Sequence, residues 1–185
     1  MDAWQVWLVI ALFALLAGWA LFSFNTLVRL RNQVRNAWAD IDVQLSRRHD
    51  LVPQLVAAVQ GYARHEKAVL SAVTELRSQA LAQSHPSRLY EIETALEHSL
   101  TQVFALQEAY PDLKASEQFL KLQQQLVEVE DHLQYARRFY NGAVRDHNDA
   151  VQHFPTLLIA RQFGFAEQAF YQARDAARQA PAVET

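Results

Sequence analysis

Apolar residues recur along this chain with three different rhythms, and each predicts a different kind of helix. Between Ala3 and Val28 no charged residue occurs, and Ala3 to Phe24 is almost uniformly apolar. At 1.5 Å per residue that run measures roughly 33 Å, enough to cross a hydrocarbon layer of about 30 Å. Further on, Leu27, Leu30, Val34, Trp38, Ile41, Leu45, His49, Val52, Val56, Val59 and Ala63 keep one helical face, with Leu30, Ile41, Val52 and Ala63 eleven residues apart. An eleven-residue repeat drifts little around a straight helix, so weak or right-handed supercoiling is expected. From Phe119 the steps alternate between three and four, through Leu122, Leu126, Val129, Leu133, Ala136, Tyr140, Ala143, His147, Ala150 and Phe154. That 3.5-residue repeat is the seam of a left-handed supercoil against partner helices.

Prolines punctuate the rest. Ser84-His85-Pro86-Ser87, Tyr110-Pro111-Asp112 and His153-Phe154-Pro155-Thr156 suit helix boundaries, and a tail begins at Pro181. Four helical segments result, at about 26–82, 87–108, 113–152 and 157–179, the last interrupted at Gly164. The fold class is all-α: a transmembrane anchor over 1–25, a bundle of about four unequal helices over 26–180, and a flexible tail over 181–185. Pro53 should kink or locally open the first segment near His49, because it lacks an N–H. Gly142 costs about 1 kcal/mol of helix propensity against Ala and could permit a close backbone approach. Because the segments differ in length, the short ones cannot cover the full seams of the long ones. Apolar surface should then remain for copies of the chain, for lipid or for another protein.

The first segment has a second reading as a cleaved signal peptide, with Gly18-Trp19-Ala20 as a small-x-small site. It begins with Asp2 instead of a basic residue, however, and its apolar run exceeds the usual 7 to 15 or so, which favours an uncleaved anchor. Trp4 and Trp7 sit near one end at interface depth. Arg29, Arg31 and Arg35 follow the other end, where they would contact anionic lipid headgroups. By the positive-inside bias the amino terminus is then outside and the bundle in the cytoplasm.

Composition adds exclusions. Four glycines, five prolines, 51% apolar and 20% charged residues favour long helices around one ample core. A net charge of −3 argues against non-specific nucleic-acid binding, which needs a positive field. The absence of cysteine removes disulfides, thiolate nucleophiles and cysteine-based zinc sites. His65-Glu66 lacks the second histidine of a zincin, since position 69 is Val, and no histidine has Glu three residues before it as a di-iron bundle requires. Glu128 and His132 lie one turn apart, and Asp146 approaches Asp149, so a metal-dependent enzyme built on Glu128, His132 or Asp146 is one hypothesis. Solvated helix faces carry such pairs often, and His147, on the apolar stripe, reads as a hydrogen-bonded core histidine. No phosphate loop or nucleophile elbow is present. Arg47, Arg48, Arg137, Arg138 and Arg145 read as partners for acidic residues of the bundle, with Asp40, Asp42, Asp50 and Asp131 as candidates. The segment Phe154, Leu157, Leu158, Phe163 and Phe165 is unusually apolar. It would either fold back on the bundle or serve as a surface for self-association, for a partner or for the bilayer.

Asn25-Thr26-Leu27-Val28-Arg29-Leu30-Arg31-Asn32, Asn36-Ala37-Trp38-Ala39-Asp40-Ile41, Arg47-Arg48-His49-Asp50-Leu51-Val52-Pro53-Gln54-Leu55-Val56, Ala109-Tyr110-Pro111-Asp112-Leu113 and Glu130-Asp131-His132-Leu133-Gln134-Tyr135-Ala136-Arg137-Arg138-Phe139-Tyr140-Asn141 together resemble the LemA family, as do Phe154-Pro155 and Phe163-Gly164-Phe165. The resemblance covers about residues 24 to 172 and departs from the expected pattern at Gly142-Ala143. It implies a bacterial single-pass membrane protein with an elongated antiparallel bundle, no established enzymatic activity and no cofactor. It also implies genomic association with membrane metalloproteases of the HtpX type and relatives among magnetosome membrane proteins. Two functions follow as expectations: a non-catalytic membrane scaffold that self-associates, or an adaptor for a membrane protease or transport machine.

Overall fold

The computed structural model describes residues 3–83 and 86–171. Among them there is no strand. The helices are α1 (Ala3–Gln60), α2 (Lys67–Ala82), α3 (Pro86–Ala105), α4 (Pro111–Lys114), α5 (Glu117–Gln152) and α6 (Thr156–Gln162), with a 3₁₀ turn at Leu106–Glu108. The far end of the expected fourth segment and the tail over 181–185 lie outside the described residues.

The apolar run and the first amphipathic segment form one uninterrupted 58-residue helix. Over its most apolar 18-residue window the mean hydropathy is 2.3, and 6% of that window is buried. A core helix with this composition would be covered on most sides; this one is bare, as a span facing lipid must be.

The first segment does not reach residue 82. Gly61, a poor helix former, follows the last residue of α1, and the chain turns through Tyr62 to Glu66 before α2 begins. Ala63 is fully buried in that turn, and its N–H reaches the Val59 carbonyl at 2.9 Å. The break supplies a helix that the four-segment reading lacked, and α2 packs against α3. Pro53 stays inside α1, and the consequence of its missing N–H is visible one turn earlier. The orphaned His49 carbonyl accepts a hydrogen bond from Arg77 Nε at 2.6 Å, so a side chain of α2 replaces the lost donor.

The chain divides into two compact units. Among the described residues, one comprises 3–39 and Arg138–Phe170, the other Asp40–Arg137 with Tyr171. In the first, Leu27, Val151, Ala160 and Phe165 form a core, with Phe24, Val28, Ala150 and Ile159 packed on it. In the second, Ile41, Leu45, Val52, Leu55 and Val59 of α1 are buried, as are Leu96, Leu100 and Val103 of α3 and Phe119, Leu122, Leu126, Val129 and Leu133 of α5.

The expected fourth helix ends early. α6 stops at Gln162, and Gly164 takes the left-handed conformation (φ 69°) that closes it. Phe165 N–H then bonds to Ala160 C=O at 2.9 Å while its ring joins Ala160 in the core, the pairing and contact of a Schellman cap. Beyond it the chain is not helical to Tyr171. Asn148 on α5 holds this stretch: its Nδ2 donates to Gln168 C=O at 2.9 Å and its Oδ1 accepts from Gln168 N–H at 2.8 Å. The Tyr140 hydroxyl donates to Ala169 C=O at 2.9 Å. Those backbone groups have partners outside any helix, which removes the advantage of continuing one.

The seams are accordingly covered. Val34, Ile41, Leu45, Val52, Val56 and Val59 on α1, and Phe119, Leu122, Leu126, Val129, Leu133, Tyr140, Ala143 and His147 on α5, are all buried within their units. The expectation that the long seams stay open is corrected at these positions. The four-segment reading had neither α2 nor the stretch held by Asn148 and Tyr140. A Cβ built on Gly142 meets nothing within 4 Å, so no close approach explains that glycine.

Candidate functional site

Two features of the sequence reading acquire geometry here, a buried ionic cluster in the second unit and an apolar corner in the first.

The cluster begins with consecutive residues of α1. Arg48 is 2% exposed, and Glu93 on α3 is fully enclosed. Arg48 Nη1 donates to Glu93 Oε2 at 3.0 Å, while Nη2 donates to Glu130 on α5. His49 Nε2 lies 2.7 Å from Glu93 Oε1; facing a carboxylate, that nitrogen carries the hydrogen. Glu130 also accepts from Gln134 Nε2 at 2.6 Å and pairs with Arg137 Nη1 at 3.5 Å. The Arg137 guanidinium lies over two aromatic rings, 5.8 Å from Tyr90 and 5.4 Å from Tyr171, which meet each other edge-on at 5.3 Å. Burial lowers the Arg48 pKa, with Glu93 opposing that effect, and burial raises that of Tyr171, with Arg137 opposing.

The arrangement satisfies charge with charge. Both Glu93 oxygens and both terminal nitrogens of Arg48 are engaged, so the cluster links α1, α3 and α5 at one level and penalises any register that separates them. A concavity of about 210 Å³ borders Arg48 and Glu130 beside Thr101 and Phe104. A larger open one, about 780 Å³, lies at the α1–α2 turn and is lined by Arg64, His65 and Lys67 among others.

The sequence foresaw bundle partners for Arg48 and Arg137 and named the wrong ones. Asp40, Asp42, Asp50 and Asp131 are exposed. The partners are Glu93 and Glu130, and Glu93 falls on the buried face of α3, where a helical count from Leu89 and Leu96 would have drawn attention to it. Arg47 approaches Glu128 at 4.0 Å on the surface. Glu128, His132 and Asp146 are exposed, and among the described residues no group of three or more His, Asp or Glu is placed to hold a metal ion. His147 is fully buried, with Nδ1 3.4 Å from Asn148 Oδ1.

At the apolar corner the named residues divide. Phe165 is 7% exposed and belongs to the core, while Leu157 is half-buried. Phe154, Leu158 and Phe163 are exposed at 78%, 55% and 58%. Phe24 meets Phe163 and Phe165 edge-on at 5.0 and 5.8 Å. Of the three arginines after the span, Arg31 lies over the Phe165 ring at 5.0 Å, whereas Arg29 and Arg35 are exposed.

Comparison with known proteins agrees with this architecture. The LemA family model matches residues 37–184. Protein LemA of Metamycoplasma hominis is 27% identical over 83% of this chain and 71% of its own length. Magnetosome proteins MamQ 2 and MamQ 1 of Paramagnetospirillum magneticum are each 22% identical over 84% of this chain and 67% of theirs.

Proposed function

The chain belongs to the LemA family, and from that premise we propose that it is a non-enzymatic, membrane-anchored helical scaffold that associates with copies of itself at the bacterial inner membrane, amino terminus outside and bundle in the cytoplasm. One observation carries the reading. A single helix is bare where it is apolar and packed where it is amphipathic, so the anchor and the bundle share one continuous backbone. The ionic cluster serves the scaffold by fixing helix register, with its charges neutralised internally instead of offered to a substrate. With the seams covered, the large hydrophobic side chains that α5 leaves exposed in the second unit, Leu120, Val127 and Tyr135, are the surface for copies.

Native mass spectrometry of the full chain released from detergent is expected to show multimers, and a strictly monomeric protein at micromolar concentration would overturn self-association. A photo-crosslinker at Val127 in cells separates the scaffold from an adaptor. Adducts to the same chain support the scaffold, whereas adducts to a membrane protease support the adaptor reading.

A further inference from the structure

We propose that the corner joining α5 and α6 is a second membrane contact, with Phe154, Leu158 and Phe163 inserted at the lipid interface beside the end of the span. The inference rests on the reading of α1 as a membrane-spanning helix, and its occupant is the bilayer, because the corner is continuous with that span.

Length fixes how deep the corner lies. Along α1 the cover of other residues starts inside the apolar run: Trp19 and Ala20 are half-buried, and Ser23 is buried. The stretch from Ala3 to Gly18, before that cover begins, measures about 24 Å, short of the roughly 30 Å hydrocarbon layer. To complete the crossing, the membrane must include the next turn of α1. Phe24, at the end of that turn, is in ring contact with Phe163 at 5.0 Å. Whatever depth Phe24 occupies, Phe163 shares.

The side chains at that depth are the ones a bilayer would accept. Phe154 is 78% exposed and Phe163 58%, with Leu158 between them on the open face of α6. In water, three large apolar side chains on and flanking so short a helix would form an unfavourable patch; at an interface they extend the lipid-facing surface begun by Leu21 and Phe22, both exposed. Arg161 on α6 and Arg29 and Arg35 on α1 are exposed and suited to headgroup phosphates. The exposed acidic groups of the same unit, Asp146, Asp149 and Glu167, stand on α5 and beyond Phe165, outside α6.

The chain has no cysteine, so single-cysteine variants of the full protein report one site each. Nitroxide labels at Phe154, Leu158, Gln162 and Phe163 are compared with reference labels at Leu12 in the span and Asp50 on the exposed face of α1. The vesicles are phosphatidylethanolamine with phosphatidylglycerol. The readout is relaxation by oxygen, which concentrates in hydrocarbon, against relaxation by a water-soluble nickel chelate. Corner labels are expected to show an oxygen-to-nickel ratio several-fold above the Asp50 label and below the Leu12 label. Corner labels matching Asp50 while Leu12 reads deep would overturn the inference and leave the span standing. If Leu12 itself reads as aqueous, the span reading fails and the inference with it. Labels shielded from both reagents would place protein on the corner, which also overturns it. Gln162→Cys removes no apolar group, so its label decides alone if the phenylalanine variants misfold.

Discussion

At the residue scale, the strongest dependence is on Glu93. Removing one member of a buried pair leaves an uncompensated charge, and Glu93→Ala is expected to destabilise the folded chain by about 3–5 kcal/mol. Denaturant unfolding in detergent, followed by circular dichroism, measures it. Replacing Arg48, His49 and Glu93 together with apolar residues of similar size should cost far less, because the desolvation of all three groups is then avoided. Arg77→Ala tests the repair at Pro53: the His49 carbonyl loses its donor, at an expected cost of about 1–3 kcal/mol. Tyrosines make the fold sensitive to alkali. Burial raises the pKa of Tyr140 and Tyr171, and the hydrogen bond to Glu66 raises that of Tyr110. The folded chain therefore keeps phenolic protons that the unfolded chain releases near pH 10. Stability should hold below about that pH and decline above it, and Tyr140→Phe should weaken the decline in a pH series of melts.

At the element scale, α5 offers a matched pair of tests. Gly142 is an interior helical glycine with open space where a Cβ would stand, so Gly142→Ala should raise stability by about 0.5–1 kcal/mol. Val129→Asp places a charge at a fully buried seam position and should abolish cooperative unfolding, whereas Glu128→Lys, one residue away and exposed, should shift the melt little. These positions also show how much of the fold was legible. The heptad run identified α5 and most of its buried face through His147, whereas its last member, Phe154, lies beyond the helix and is exposed. The apolar run likewise identified the exposed first part of α1, because so long a stretch without a charge or a breaker suits one continuous helix. The extent of α6 was not legible, because Gln168 and Ala169 leave the helix through bonds to Asn148 and Tyr140, residues twenty or more positions away. The end of α1 carried only a single glycine as its signal. Of the ionic cluster, the arginines announced themselves and their partners did not. Which carboxylates face inward depends on how α3 lies against α1 and α5, and local periodicity does not report that.

At the scale of the whole molecule, the proposed orientation and the continuity of α1 have separate consequences. With the bundle in the cytoplasm, a single cysteine at Asp50 should react with a membrane-impermeant maleimide only after the inner membrane is opened; labelling in intact spheroplasts would reverse the assignment. Continuity matters because α1 passes from the bare run into the packed face with no break, and its lone proline comes only at Pro53. A helix advances about 100° and 1.5 Å with each residue. Adding one alanine after Gly18 therefore has no loop in which to dissipate: it swivels the lipid-facing side chains by more than a quarter turn against everything downstream. The phase between the greasy shaft and the packed face of α1 is thus written into the residue count, and the protein should tolerate inserted residues in numbers that complete whole turns far better than singly.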